Sequence, residues 1–220
     1  NAERSFIFYY SGLALKRLPD GVETPILFPE GGKRLGTPQW NANSTMLAFA
    51  NEASDGVELW VVDVASGKAK LLPGFHLNPV LRNAFQWMPD QETLLVKLIP
   101  GDRGAPPEPP LVPPGPKIQE SSGAKAASST YEVRDVLKNP YDEDLFDYYT
   151  TSQLALVKVP SGEITRIGKP AVYGQVEPAP GGNYLLVERI HRPYSYLRAY
   201  NRFPKEIELW TTAGTLVETL

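Results

Sequence analysis

Pro38-Gln-Trp40, a polar turn through Asn41-Ala-Asn-Ser44, and the apolar run Met46-Leu-Ala-Phe-Ala50 make a unit that the chain repeats. It returns as Phe85-Gln-Trp87, a turn at Met88-Pro-Asp90 and the run Thr93-Leu-Leu-Val-Lys-Leu-Ile99. A third copy is Val176-Glu-Pro178, a turn at Pro180-Gly-Gly182 and Tyr184-Leu-Leu-Val-Glu-Arg-Ile190. The first copy continues into Val57-Glu-Leu-Trp-Val-Val-Asp-Val64 and a Ser66-Gly67 turn. The third does the same with Glu208-Leu-Trp210-Thr-Thr-Ala-Gly214, and the second places Gln153-Leu-Ala-Leu-Val-Lys-Val159 and Ser161-Gly162 there. Short apolar runs closed by turn residues are the pattern of strands. Trp40 and Trp87 lie 47 residues apart, inside the range of about 40–50 that propeller repeats use. Four short antiparallel strands per unit describe a propeller blade. A β-sandwich also has regular short strands, but three matching copies favour the propeller.

Outward from the repeats, Ser5-Phe-Ile-Phe-Tyr-Tyr10 and Leu13-Ala-Leu-Lys-Arg-Leu18, with a turn at Pro19-Asp20-Gly21, read as a leading fraction of a blade. The expected fold is therefore all-β, a partial propeller of about three to four antiparallel four-stranded blades. A full ring takes about 4–8 blades, so this chain is not expected to close alone. Open strand edges would then invite self-association. Helical spacing is rare, and only residues 131–137, with Thr130 as N-cap, suggest a short helix. The recurring Trp40, Trp60, Trp87 and Trp210 read as packing between blades.

The middle unit is interrupted between Ile99 and Ser152, which makes residues 100–150 a long irregular insertion. Its first part carries Pro100, Pro106, Pro107, Pro109, Pro110, Pro113, Pro114 and Pro116, and proline fixes φ and removes the ladder donor. Residues 120–130 are small and polar. Tyr141-Asp-Glu-Asp-Leu-Phe-Asp-Tyr-Tyr149 then mixes four carboxylates with four aromatics, a composition suited to packing on a surface rather than to a solvated tail.

The 220 residues are 42% hydrophobic and 21% charged, which excludes wholesale disorder. Twenty-two Lys and Arg against 25 Asp and Glu leave a net charge of −3, which argues against a strongly basic nucleic-acid binder or a polybasic membrane binder. No run of about 18 apolar residues occurs to span a bilayer. The absence of cysteine excludes disulfides, thiolate nucleophiles and Cys-ligated zinc. It is compatible with either a cytoplasmic or a periplasmic bacterial protein. The chain opens Asn1-Ala-Glu-Arg4, without Met or the apolar core of a signal peptide, which reads as a piece of something longer.

Chemistry-bearing motifs are few. No Gly-x-Ser-x-Gly elbow, Gly-x-x-x-x-Gly-Lys-Ser/Thr loop or Gly-x-Gly-x-x-Gly loop occurs. The two histidines, His76 and His191, fall on different units, so neither a metal nor a cofactor is expected. Asp142-Glu143-Asp144 lacks the alternating ligands and turn glycine of a calcium loop. One cluster stands apart: Glu188-Arg-Ile-His-Arg-Pro-Tyr-Ser195 places His191, Arg192 and Tyr194 directly after an apolar strand. Strand ends are where a propeller offers groups to a ligand, and Arg192 is able to grip a carboxylate with two donors. The other reading is an arginine that satisfies carboxylates inside its own blade.

Residues 141–149, His191-Arg-Pro-Tyr-Ser195, Arg202-Phe-Pro-Lys205 and Pro110-Leu-Val-Pro-Pro-Gly-Pro-Lys117 resemble the propeller domain of glutamyl endopeptidase-like serine peptidases of the prolyl oligopeptidase (S9) family. The resemblance runs from Tyr10-Ser-Gly12 to Glu208-Leu-Trp-Thr-Thr212. It departs at Asn41-Ala-Asn-Ser44, where such repeats commonly have Ser-Pro-Asp-Gly. It implies a propeller capping a C-terminal α/β-hydrolase domain that holds the catalytic triad, so no catalytic residue is assigned here. It also implies that the propeller gates peptide access and orients the substrate. Arg189, His191, Arg192 and Tyr194 become candidates for substrate binding. Tyr141, Asp142, Asp144, Phe146, Tyr148 and Tyr149 become candidates for a domain interface. A stand-alone TolB- or WD40-like interaction scaffold is the competing reading, although it would not need residues 100–149. A lectin- or glycosidase-type propeller is disfavoured by the missing Asp-boxes.

Overall fold

The computed structural model describes residues 9–27, 34–81, 83–111 and 136–220. A short hairpin leads, β1 (Ala14–Lys16) with β2 (Glu23–Pro25). Three blades of four antiparallel strands follow. The first comprises β3 (Gln39–Trp40), β4 (Met46–Glu52), β5 (Val57–Asp63) and the first half of β6 (Lys68–Leu77). The second comprises β7 (Phe85–Trp87), β8 (Thr93–Leu98), β9 (Thr151–Lys158) and the first half of β10 (Ile164–Pro178). The third takes the second half of β10 with β11 (Tyr184–Ile190), β12 (Lys205–Thr211) and β13 (Leu216–Thr219). The fold is thus the expected partial propeller, all-β in its framework.

The repeated units meet the blades strand for strand, but two joins were not legible. β6 and β10 each run on from the outer strand of one blade into the next blade. β10 pairs with β9 from Ile164 to Val172, with a bulge between Ile167 and Ala171, and with β11 from Val172 onward. Of the expected strand over residues 5–10, only Tyr9 and Tyr10 are described, and Tyr10 is bridged to Leu35.

Alternation along each inner strand builds the cores. On β4, Leu47 and Phe49 face the leading hairpin with Ile26 and Trp60, whereas Ala48 and Ala50 face the second blade. On β8, Leu94, Val96 and Leu98 face the first blade, and Leu95 faces the third alongside Leu154, Leu185, Val187 and Trp210. The Glu-Leu-Trp repeat has a physical meaning here. Side chains two apart on a strand share a face, so Glu58 accepts from Trp60 Nε1 at 2.8 Å, and Glu208 accepts from Trp210 Nε1 at 2.8 Å. Trp60 and Trp210 are buried, as expected of packing residues. Trp40 is not: it is 51% exposed, because its neighbour on that side is a two-stranded hairpin rather than a full blade. Trp87 is half-buried and donates to Gln39 O at 3.0 Å.

The insertion is not wholly irregular. It contains a helix, α1 (Pro140–Thr150). Asn139 caps it, its side chain accepting from Asp142 N, Pro140 opens it, and Asp142 and Glu143 place negative charge in the first turn. The helix expected over residues 131–137 lies almost entirely outside the described residues, and 136–138 are in no regular element.

Candidate functional site

Strands alternate in direction, so the β8–β9 and β11–β12 connections emerge on the same rim of the propeller. The corresponding connection in the first blade is only residues 53–56. The second blade places the insertion there, and the third places residues 191–204. The two meet. Phe146 of α1 packs edge-on against Tyr194 (5.0 Å between centroids) and Phe203 (5.4 Å), which stack on each other at 4.9 Å. Leu81, Val172 and Ile190 complete this apolar floor. Asn78, buried, donates from Nδ2 to Tyr149 O (3.0 Å) and Thr151 O (2.9 Å), which ties down the C-terminal end of α1.

Above the floor lies one guanidinium among three carboxylates. Arg192 donates from Nε to Asp147 Oδ2 (2.8 Å), from Nη1 to Glu143 Oε2 (2.8 Å) and from Nη2 to Asp144 Oδ1 (2.7 Å). These hydrogen bonds, with Asp144 and Asp147 foremost, hold its pKa well above the ordinary arginine value. The Tyr194 hydroxyl donates to Asp147, and burial followed by that hydrogen bond pushes the phenol pKa up. Tyr196 is also pushed up, first by its hydrogen bond to Glu143. Arg192 and Tyr194, expected to bind substrate, and Asp144 and Phe146, expected at a domain interface, therefore belong to one cluster, joined across 45 residues or more of sequence.

The other candidates have separate duties. Arg189 pairs with Glu206 and with buried Glu208 (2.9 Å), and the Glu208 hydrogen bond raises its pKa. Burial pushes the Glu208 carboxyl up, but hydrogen bonds from Arg189 and Trp210 outweigh it and leave its pKa below the usual value. His191 donates from Nδ1 to Arg192 O at 2.7 Å. Asp142 accepts from Lys138 N at 2.7 Å. Tyr148 donates to Gly104 O (2.9 Å) and Tyr141 to Pro107 O (3.3 Å), and Arg103 lies over the Tyr148 ring. The start of the proline-rich segment thus lies along α1. Tyr149 packs on Tyr148 at 5.0 Å.

Sequence reasoning did not name Glu143, Asp147, Asn78, Asn139 or Phe203 as site residues. Asn139-Pro140 followed by two acidic residues is a helix start, and it places Glu143 and Asp147 one turn apart on one face. Among the described residues no group of three or more His, Cys, Asp or Glu is arranged to hold a metal, and no helix is long and apolar enough to cross a membrane. A cleft of about 380 Å³ lies between the second and third blades, lined by Gln86, Lys97, Gly174, Gln175 and Glu177 among others.

No family model matches the chain. It is 41% identical over 234 residues to the probable chloroplastic glutamyl endopeptidase of Oryza sativa subsp. japonica, covering 99% of this chain and 24% of that protein. Against the probable chloroplastic glutamyl endopeptidase of Arabidopsis thaliana it is 41% identical over 231 residues, covering 99% and 23%. The chain therefore spans about a quarter of the length of these curated relatives. Among solved structures it is similar to the acylaminoacyl peptidase of Pyrococcus horikoshii, with a TM-score of 0.52, 16% identity and coverage of 94% of this chain and 27% of that one. At that identity the likeness is one of fold. Blades, rim and structural likeness together define a β-propeller segment. By sequence, the chain resembles the glutamyl endopeptidases of the prolyl oligopeptidase (S9) family over nearly all of its own length.

Proposed function

We propose that this chain is the non-catalytic propeller portion of a glutamyl endopeptidase-like serine peptidase, gating peptide access to a separate α/β-hydrolase domain and orienting substrate there. The observation that carries this is similarity over 99% of this chain to about a quarter of the length of two glutamyl endopeptidases, in a chain without a nucleophile elbow. The elaborated rim adds support. It projects an ordered helix and a long loop beyond the sheets, and a wall of that kind excludes folded proteins by size. Arg192 is better suited to holding this wall than to receiving a substrate carboxylate, because three carboxylates already share its donors.

The test uses the full-length peptidase and the variant Arg192→Gln. If the rim gates by exclusion, cleavage of folded proteins rises several-fold relative to short peptides, with kcat/KM for the short peptides unchanged. If Arg192 instead grips substrate, KM rises for acidic peptides and not for neutral ones. Selectivity unchanged in both comparisons refutes a role of this rim in access or orientation.

A further inference from the structure

The loop that carries Arg192 runs on past Tyr194, touching α1 through the Tyr196–Glu143 hydrogen bond and leaving α1 beyond it. Residues 195–202 are pinned at both ends, by buried Tyr194 and buried Phe203, with Leu197 N donating to Ser195 Oγ at 3.1 Å and a single 3-10 turn over Tyr200–Arg202. Between those anchors Leu197 is 86% exposed, Tyr196 41% and Tyr200 36%, the Tyr196 hydroxyl meeting Glu143 while its ring stays open. Arg198 and Arg202 are exposed with them. Their electrostatic situation differs from that of the two arginines just before them. Arg189 and Arg192 are neutralised by carboxylates of this chain, whereas Arg198 and Arg202 form no ion pair among the described residues. An exposed leucine between tyrosines, flanked by two uncompensated guanidinium groups on a loop held at both ends, has the composition of a preorganised contact surface.

We infer that Tyr196, Leu197, Arg198, Tyr200 and Arg202 form a docking patch for an acidic polypeptide segment that carries an apolar side chain. The guanidinium groups take carboxylates of the segment, and Leu197 with the two phenol rings covers its apolar residue. A nucleic acid is the poorer fit. Its continuous phosphate charge would run against the acidic face of α1, which begins where Tyr196 meets Glu143, and the chain as a whole carries −3. Calling the docked segment a substrate rests on the reading of the chain as part of a peptidase. The binding itself does not, since it is measured on the propeller without turnover.

The probe is a short fluorescein-labelled peptide of alternating Glu and Leu, followed by anisotropy with the full chain. An exposed ion pair contributes a factor of roughly 1.5 to 5, so Arg198→Gln combined with Arg202→Gln should weaken binding about 2- to 25-fold. Leu197→Ser should also weaken it, and the dissociation constant should rise with salt. Arg166→Gln, removing an exposed arginine on β10, should leave binding unchanged. Circular dichroism checks that each variant is folded, which its exposed position favours. The inference is overturned if the chain does not bind the peptide, or if the double variant binds it as the parent does. It is equally overturned if the Gln-for-Glu peptide binds as tightly, or if a single-stranded oligonucleotide binds more tightly than the peptide. Failure of peptide binding with the size selectivity of Arg192→Gln intact would leave the gating proposal standing, and the reverse result would separate the two the other way.

Discussion

Replacing Arg192 with Gln should loosen α1 from the third blade without unfolding the propeller. The magnitude follows from exposure. The Arg192 side chain is 43% exposed and its partners Glu143, Asp147 and Asp144 are 15%, 35% and 55% exposed. Solvent-screened pairs of this kind contribute about 0.2–1 kcal/mol each, with Glu143 at the upper end and Asp144 at the lower, so together they supply about 1.5 kcal/mol. Removing the cation also exposes like-charge repulsion between Glu143 and Asp147, four residues apart, and between Asp144 and Asp147, three apart, at about 0.2–0.5 kcal/mol each. The total is about 2 kcal/mol, or about a 30-fold rise in the open population. The aromatic contacts of Phe146 remain and keep the closed state dominant. Amide hydrogen exchange is the assay: the α1 amides from Phe146 onward should exchange about 30-fold faster, with those of β8 and β11 unchanged. Salt at about 1 M, where the screening length is about 3 Å, should move the parent toward the variant. Unchanged exchange in α1, or an equal acceleration across the sheets, would refute the reasoning.

Three further outcomes are expected. Glu208→Ala should cost about 3 kcal/mol in denaturant unfolding, since it leaves Arg189 and the Trp210 indole without their shared buried acceptor. Because the Glu208 pKa is lowered, its contribution is present above the ordinary Glu value of 4.5 and is lost as pH falls through the lower folded value; Glu208→Gln should flatten that acid limb. Tyr173, fully buried and donating to Lys169 O at 2.5 Å, has its pKa pushed up to about 12, chiefly by burial. Its contribution is therefore intact below about 10 and declines as pH rises toward 12, and Tyr173→Phe should remove that alkaline loss in a pH series of melting temperatures. Gly168→Ala should destabilise by about 2 kcal/mol or more, since φ is +64° and a Cβ would overlap the Trp210 ring; a melting temperature equal to the parent would contradict this.

The blades were legible because each inner strand alternates faces with a neighbour on both sides. Leu94, Leu95 and Val96 are apolar without a break for that reason, the middle blade being covered twice. Trp40 shows where such reading fails. Its place in the repeat matches Trp87, but its burial depends on what stands beside the first blade, which no local pattern carries. The insertion misled for a different reason. Its proline content dominates the composition, and against it a helix of 11 residues, with four carboxylates and four aromatics, has no clean apolar stripe. Its aromatics divide their contacts, Phe146 packing on Tyr194 and Phe203 while Tyr141 and Tyr148 reach the segment at Gly104 and Pro107. For the site, the sequence displayed Arg192 and the acidic run separately. That they meet is set by the shared direction of the β8–β9 and β11–β12 connections, a property of blade topology rather than of either segment.

That topology also separates stability from specificity. The apolar layers between blades involve residues of β4, β5, β8, β9, β11 and β12, and none of the rim aromatics belongs to them. A helix or loop on the rim can therefore change length and charge while the layers beneath keep their packing, as the four-residue connection of the first blade beside the insertion of the second already illustrates. The contact between the two elaborated connections is built from one aromatic trio and one shared cation, both reaching from the third blade to a helix inserted in the second. Such a contact ties the second blade to the third at the rim through a few residues that lie outside the apolar layers of the sheets.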